Sequence, residues 1–149
     1  MILRLAEPQD ISPLADLMRS FSIEVDAELR LDHIEAALEP ILADQSIGDI
    51  WVLEHQKLIG YLVITWGWGI ESGGKEGLID ELYVAKEFRG QGLAKAMLEA
   101  AISRAQLLGT KAIFLETEAN NPKSRDLYKG LGFEVEDSVW MRLLLKADD

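Results

Sequence analysis

Between residues 78 and 108 the chain passes from an apolar run, through two closely spaced glycines, into a long helix-period stripe. No other stretch constrains the fold as much. Leu78-Ile79-Asp80-Glu81-Leu82-Tyr83-Val84 has the composition of a strand. Leu93, Ala94, Met97, Leu98, Ala101, Ile102, Ala105 and Leu108 recur on one helical face, with Gly109 placed to stop the helix. Strand, glycine turn and amphipathic helix in this order indicate an α/β arrangement.

The flanking sequence extends that pattern. Residues 2–6 read as a short opening strand and residues 11–22 as a helix started by Pro8, Asp10, Ser12 and Pro13. A second helical pattern runs from Asp32 to Leu42, with Pro40 bending or dividing it. Residues 50–54 and 58–66 are two strands joined by the hairpin His55-Gln56-Lys57, and Gly67, Gly69, Gly73 and Gly74 mark a loop. After the long helix come a strand over 112–117, a short helix over 121–129 and two closing strands, 133–135 and 139–146. The expectation is one domain over residues 1–149, with a mixed sheet of about seven strands and about four helices.

Composition narrows the function. With 149 residues, 48% of them apolar, the chain can close one core. Its longest nearly apolar stretch, residues 58–70, falls short of the roughly 20 residues of a membrane-spanning helix. The first residues lack the features of a signal peptide, so a cytoplasmic location is expected. Zero cysteines leave no disulfide framework, no thiolate nucleophile and no cysteine zinc site, and no metal is expected. The net charge of −11 sits in residues 1–84, which carry 16 acids and 5 bases, whereas residues 85–149 carry 10 of each. That balance argues against nucleic acid and suits a cationic small molecule or peptide, although it also simply keeps a protein soluble.

The first turn of a helix leaves amide N–H groups unpaired, and the macrodipole places partial positive charge there. Arg89-Gly90-Gln91-Gly92-Leu93-Ala94 offers such a turn with side chains removed at Gly90 and Gly92, and Arg89, Lys95 and Lys86 add positive charge. Read alone it is either a tight turn or an anion site. It is not the dinucleotide fingerprint, because Lys95 stands where the third glycine would be, and it is not a P-loop.

A second group of residues lies at a fixed distance beyond it: Asn121, Tyr128, then Gly132-Phe133. Arg89, Gly92 and Ala94 match Arg/Gln-x-x-Gly-x-Gly/Ala, and Asn121 to Phe133 matches Asn-x-x-Ala-x-x-x-Tyr followed by Gly-Phe, with Ser124 in place of Ala. Residues 79–133 thus resemble the GNAT superfamily of N-acetyltransferases, with a likeness to its polyamine-acetylating branch. The resemblance implies a mostly antiparallel central sheet with a splay between two central strands. It implies acetyl-CoA as cosubstrate, its diphosphate held by the backbone of Arg89, Gly90, Gln91, Gly92, Leu93 and Ala94. Leu82, Tyr83 and Val84 would offer backbone groups to the pantetheine arm, and Asn121 would steady the arm or the following helix. Tyr128 would protonate the leaving thiolate, and a homodimer is expected.

The reaction also needs a base, because alkylamines are mostly protonated at pH 7. His33 and His55 read as surface residues, which leaves carboxylates. Asp80 is the first choice, from the position that carries a carboxylate in the polyamine branch, and Glu81 the second, with Glu116 on the neighbouring strand. Alternation along a strand sends Asp80 and Glu81 to opposite faces. Trp66 and Trp68, with Glu71 and Glu76, are candidates for a wall of the acceptor site, or for packing or a dimer contact. The expected activity is acetyl transfer to a small primary amine by direct attack. Acetylation of a protein N-terminus or lysine, and a non-catalytic acyl-CoA-binding module, are the alternatives.

Overall fold

The computed structural model of the protein describes residues 1–146. They fall into two compact units, residues 1–116 and the residues from Thr117 onward. The first contains β1 (Ile2–Leu5), α1 (Ile11–Glu24), α2 (Leu31–Ala43), β2 (Gly48–His55), β3 (Lys57–Gly69), β4 (Gly74–Val84), α3 (Leu93–Leu107) and β5 (Ala112–Leu115). Short 3-10 turns at Pro8–Asp10 and Lys86–Phe88 lead into α1 and towards α3. Strand order is sequential from β1 to β5; β1 to β4 are antiparallel and β5 runs parallel to β4.

The hairpin between β2 and β3 forms where its turn residues predicted it, with Gln56 at φ +67°. The next hairpin is longer than the glycines suggested. Gly67 and Gly69 belong to β3 and pair with Glu76 and Gly74, so only four residues turn the chain. At Gly69 a Cβ would meet the Glu76 carboxylate, so glycine here leaves room for that side chain within the hairpin rather than marking a loop.

Alternation along the strands builds two cores. Leu14, Ala15 and Met18 of α1 and Ile34 and Leu38 of α2 bury against Ile50, Val52, Tyr61, Val63 and Tyr83. The alternate residues Leu53, Ile59, Leu62 and Ile64 are buried on the other face, as are Met97, Leu98, Ala101 and Ala105 of α3. Arg104 of α3 donates to the buried Asp49 of β2 over 2.6 Å, tying helix to sheet.

Two irregularities in β4 position the site. The β3 register passes from Val63↔Glu81 to Ile64↔Ile79, leaving Asp80 unpaired as a β-bulge. Pairing with β5 ends at Ile79↔Leu115, so beyond that point β4 runs on without β5 over residues 80–84. This is the splay expected between two central strands.

The second unit holds α4 (Pro122–Gly130), capped by Asn121, whose Oδ1 accepts from the Ser124 N–H at 3.3 Å. The two closing strands are a correction: residues 133–146 contain no strand, and the described sheet has five strands rather than about seven. Val139 is 87% exposed, Trp140 71% and Met141 88%, so neither face of that segment is covered. Apolar, β-branched composition favours a strand only where a ladder partner and a buried face exist, and an isolated hairpin is marginal in water. Among the described residues no helix is long and apolar enough to cross a membrane.

Candidate active site

The bulge at Asp80 decides where the next side chain points. In an unbroken strand Glu81 would share a face with Ile79, which pairs with the buried Ile64. The extra residue turns Glu81 to the α1 face, opposite Val63. There the Tyr61 hydroxyl donates to Glu81 Oε1 at 2.7 Å. Burial pushes the Glu81 carboxyl above the ordinary glutamate value; the hydrogen bond from Tyr61 opposes this and the neighbouring Asp80 adds to it. Asp80 itself is exposed at the bulge.

Glu81 lines a cavity of about 210 Å³ whose other walls are Met18, Phe21, Ser22, Val25, Ala27 and Leu29. These come from the second half of α1 and the segment after it, where Asp26 turns the chain at φ +57°. Phe21 packs edge-on against Tyr83, with ring centroids 5.5 Å apart, and Tyr83 lies 5.8 Å from Tyr61. Sequence reasoning passed over Tyr61 and this wall. Their available signals were a lone hydroxyl in the apolar run over residues 58–64, and Ile23, Val25 and Leu29 spaced among acids.

Past Val84 the chain makes the glycine turn. Gly90 and Gly92 have φ of +77° and +78°, in the left-handed region that favours glycine, and a Cβ on either would point into open space. Gly92 caps α3 without any side-chain hydrogen bond to its first amides. The Ala85 N–H donates to the Ile59 carbonyl in β3, so by alternation the backbone groups of Leu82 and Val84 face the opposite, splayed edge. The Val84 carbonyl there accepts from Arg89 Nε at 2.8 Å.

Arg89 behaves differently from the expectation of a free phosphate-facing charge. Its Nη1 and Nη2 donate to Oε1 and Oε2 of Glu24 at 2.7 and 2.9 Å, and its guanidinium sits 5.4 Å from the Tyr83 ring centroid. Arg89 holds the Glu24 carboxyl below its usual range. The guanidinium therefore links the glycine turn to the end of α1, and what the turn leaves free are its backbone amides. Gln91 is exposed, and Leu93 and Ala94 are half-buried at the start of α3.

The remaining candidates lie elsewhere. Trp66 and Trp68 do not line the cavity; Trp66 Nε1 donates to the Gln45 carbonyl, the chain's own Lys75 lies 4.7 Å from its ring centroid, and Trp68 is 76% exposed. Glu76 accepts from the Ser72 hydroxyl, and Glu71 is exposed. Glu116 is exposed beyond the end of β5. His33 and His55 are exposed, as expected. In the second unit the Tyr128 ring is half-buried and packs edge-on against Phe133, with centroids 6.0 Å apart. Burial raises the Tyr128 phenol above its ordinary value. Gly132, at φ +101°, makes the turn between the two rings.

Comparison with known proteins identifies relatives and structures of similar fold. N-alpha-acetyltransferase 30 of Saccharomyces cerevisiae is 42% identical over 57 residues, covering 38% of this chain and 32% of that protein. The match thus spans about a third of that relative's length. The uncharacterized N-acetyltransferase YhfO of Bacillus subtilis is 26% identical over 147 residues, covering 99% of this chain and 98% of that one. An integron cassette protein from the mobile metagenome of the Cole Harbour salt marsh has a crystal structure that superposes with a TM-score of 0.87 at 29% identity, covering 98% of this chain and 91% of that one. Residues 12–133 match the acetyltransferase (GNAT) family, and the chain belongs to it.

Proposed function

We propose that this chain is a cytoplasmic, acetyl-CoA-dependent N-acetyltransferase, working as one domain over residues 1–149, that passes the acetyl group directly to a primary amine. The observation that carries the reading is Glu81, a half-buried carboxyl of raised pKa that lines a cavity on the strand leading into the glycine turn. A carboxyl shifted toward neutrality is suited to accept a proton near physiological pH. Glu81 is therefore preferred as base over the exposed Asp80.

The residues present fit acetyl-CoA. The open, left-handed Gly90 and Gly92 and the uncapped first amides of α3 suit a diphosphate. The outward backbone groups of Leu82 suit the amides of a pantetheine arm. Acetyl-CoA supplies the activated acyl group, and the chain's part is proton traffic and positioning. Glu81 accepts a proton from the amine, directly or through water. The nitrogen lone pair then forms the new N–C bond at the carbonyl carbon as the C–S bond breaks, and the nitrogen releases its second surplus proton to solvent, from which the phenol of Tyr128 is restored after turnover. Tyr128, assigned by its place in the second family motif, gives its phenolic proton to the departing sulfur. Asn121 acts through the cap that it places on α4.

The deciding experiment is Glu81→Gln, followed by thiol release from acetyl-CoA, which a cysteine-free protein does not obscure. Turnover should fall by about 10²-fold or more. The acid limb of the wild-type pH–rate profile, lying above the ordinary glutamate range, should vanish; an unchanged limb would remove Glu81 as base. The exposed apolar segment over residues 139–145 supports a homodimer that covers it, and sedimentation of the wild-type chain tests this.

A further inference from the structure

The same cavity constrains the acceptor amine, an inference that rests on the acetyltransferase reading. Of the side chains that line it, only Glu81 is ionisable and only Glu81 and Ser22 are polar. Ser22 is already occupied: its hydroxyl donates to the Arg19 carbonyl at 2.7 Å and accepts from the Leu29 N–H at 3.0 Å. The Tyr61 hydroxyl behind Glu81 is spent on that carboxyl. Met18, Phe21, Val25 and Leu29 make the rest apolar, with Val25 and Leu29 53% and 39% exposed.

No acid besides Glu81 lines the cavity. Glu24 is held bidentately by Arg89, and Glu28 is paired with Arg19 at 3.0 Å. Asp26 and Asp80 are exposed and make no ion pair among the described residues, but neither lines the cavity. A polyamine would bring its second ammonium against an apolar lining that offers no carboxylate besides Glu81, and an unpaired buried charge is costly.

We propose that the acceptor is a single primary amine on an apolar body of about phenyl or branched-alkyl size, the amine meeting Glu81 and the body filling the space between Phe21 and Leu29. Size supports this: a cavity of roughly 150 Å³ takes up benzene, and this one measures about 210 Å³. A free arylalkylamine and the N-terminus of a peptide beginning with a large apolar residue share that chemistry.

Steady-state thiol release with 2-phenylethylamine, a leucine-initiated peptide, ethylamine and spermidine tests the proposal. The first two distinguish the sources, and at least one should exceed both ethylamine and spermidine in kcat/KM by about tenfold or more. Ala27→Leu, at an exposed position on the cavity wall, should lower kcat/KM for the favoured acceptor by about tenfold while changing that for ethylamine little. Spermidine as the best acceptor, or an Ala27→Leu effect equal on all amines, would overturn the acceptor assignment and leave the acetyltransferase reading standing. Binding of CoA with no turnover on any amine would overturn both.

Discussion

The two ends of the proposed site along β4 are built in opposite ways. The glycine turn is made of backbone: two left-handed glycines and the first amides of α3, all within a few residues of one another. The cavity around Glu81 is made of side chains that lie up to 63 positions apart in the chain, from Met18 to Glu81. A local backbone device is written in residue order, so it can be read as a motif. A side-chain cavity exists only once α1 has been laid across β3 and β4. Arg89 joins the two, standing in the turn and holding Glu24 at the end of α1.

That division can be broken experimentally, the largest effect after Glu81→Gln coming from the turn itself. Gly92→Val places a β-branched residue at φ +78° and puts its side chain into the open space proposed for the diphosphate. CoA binding, measured by calorimetry, should weaken on the order of 30-fold, with the ranking of acceptor amines unchanged. A changed ranking would show that turn and cavity are not separable. Next, Tyr61→Phe removes the hydrogen bond that stabilises the Glu81 carboxylate. Since that bond lowers the Glu81 pKa, its loss should move the acid limb of the pH–rate profile upward. CoA affinity should stay the same; an acid limb that moved down would contradict the geometry.

The smallest effect should come from the link. Glu24→Gln breaks a half-exposed ion pair, so stability should change by less than about 1 kcal/mol. Glu24 is depressed in the folded state, so its contribution is present above the unfolded carboxylate pKa and is lost as pH falls through the folded value. Wild type and variant should therefore converge in stability at low pH in denaturant melts. If Arg89 transmits order from the turn to the cavity, the variant raises KM for the amine by about two- to fivefold while CoA affinity holds.

The sequence by itself determined the turn at Gly90 and Gly92, the face of α3 that is buried, and the succession of strands and helices along the chain as far as β5. Each depends on local periodicity or on a backbone conformation open mainly to glycine. It ranked Asp80 before Glu81 as base and kept Glu116 as a further candidate. The observation that favours Glu81 in the proposal came only with the tertiary structure. The bulge at Asp80 is a mismatch of register between β3 and β4, invisible in either strand alone, and it turns Glu81 onto Tyr61. Arg89 was legible as a cation in a phosphate-like turn, but its partner Glu24 lies 65 positions earlier. Residues 139–145 show the limit from the other side. Their composition is that of a strand, yet strand formation needs a partner ladder and a covered face, and composition supplies neither.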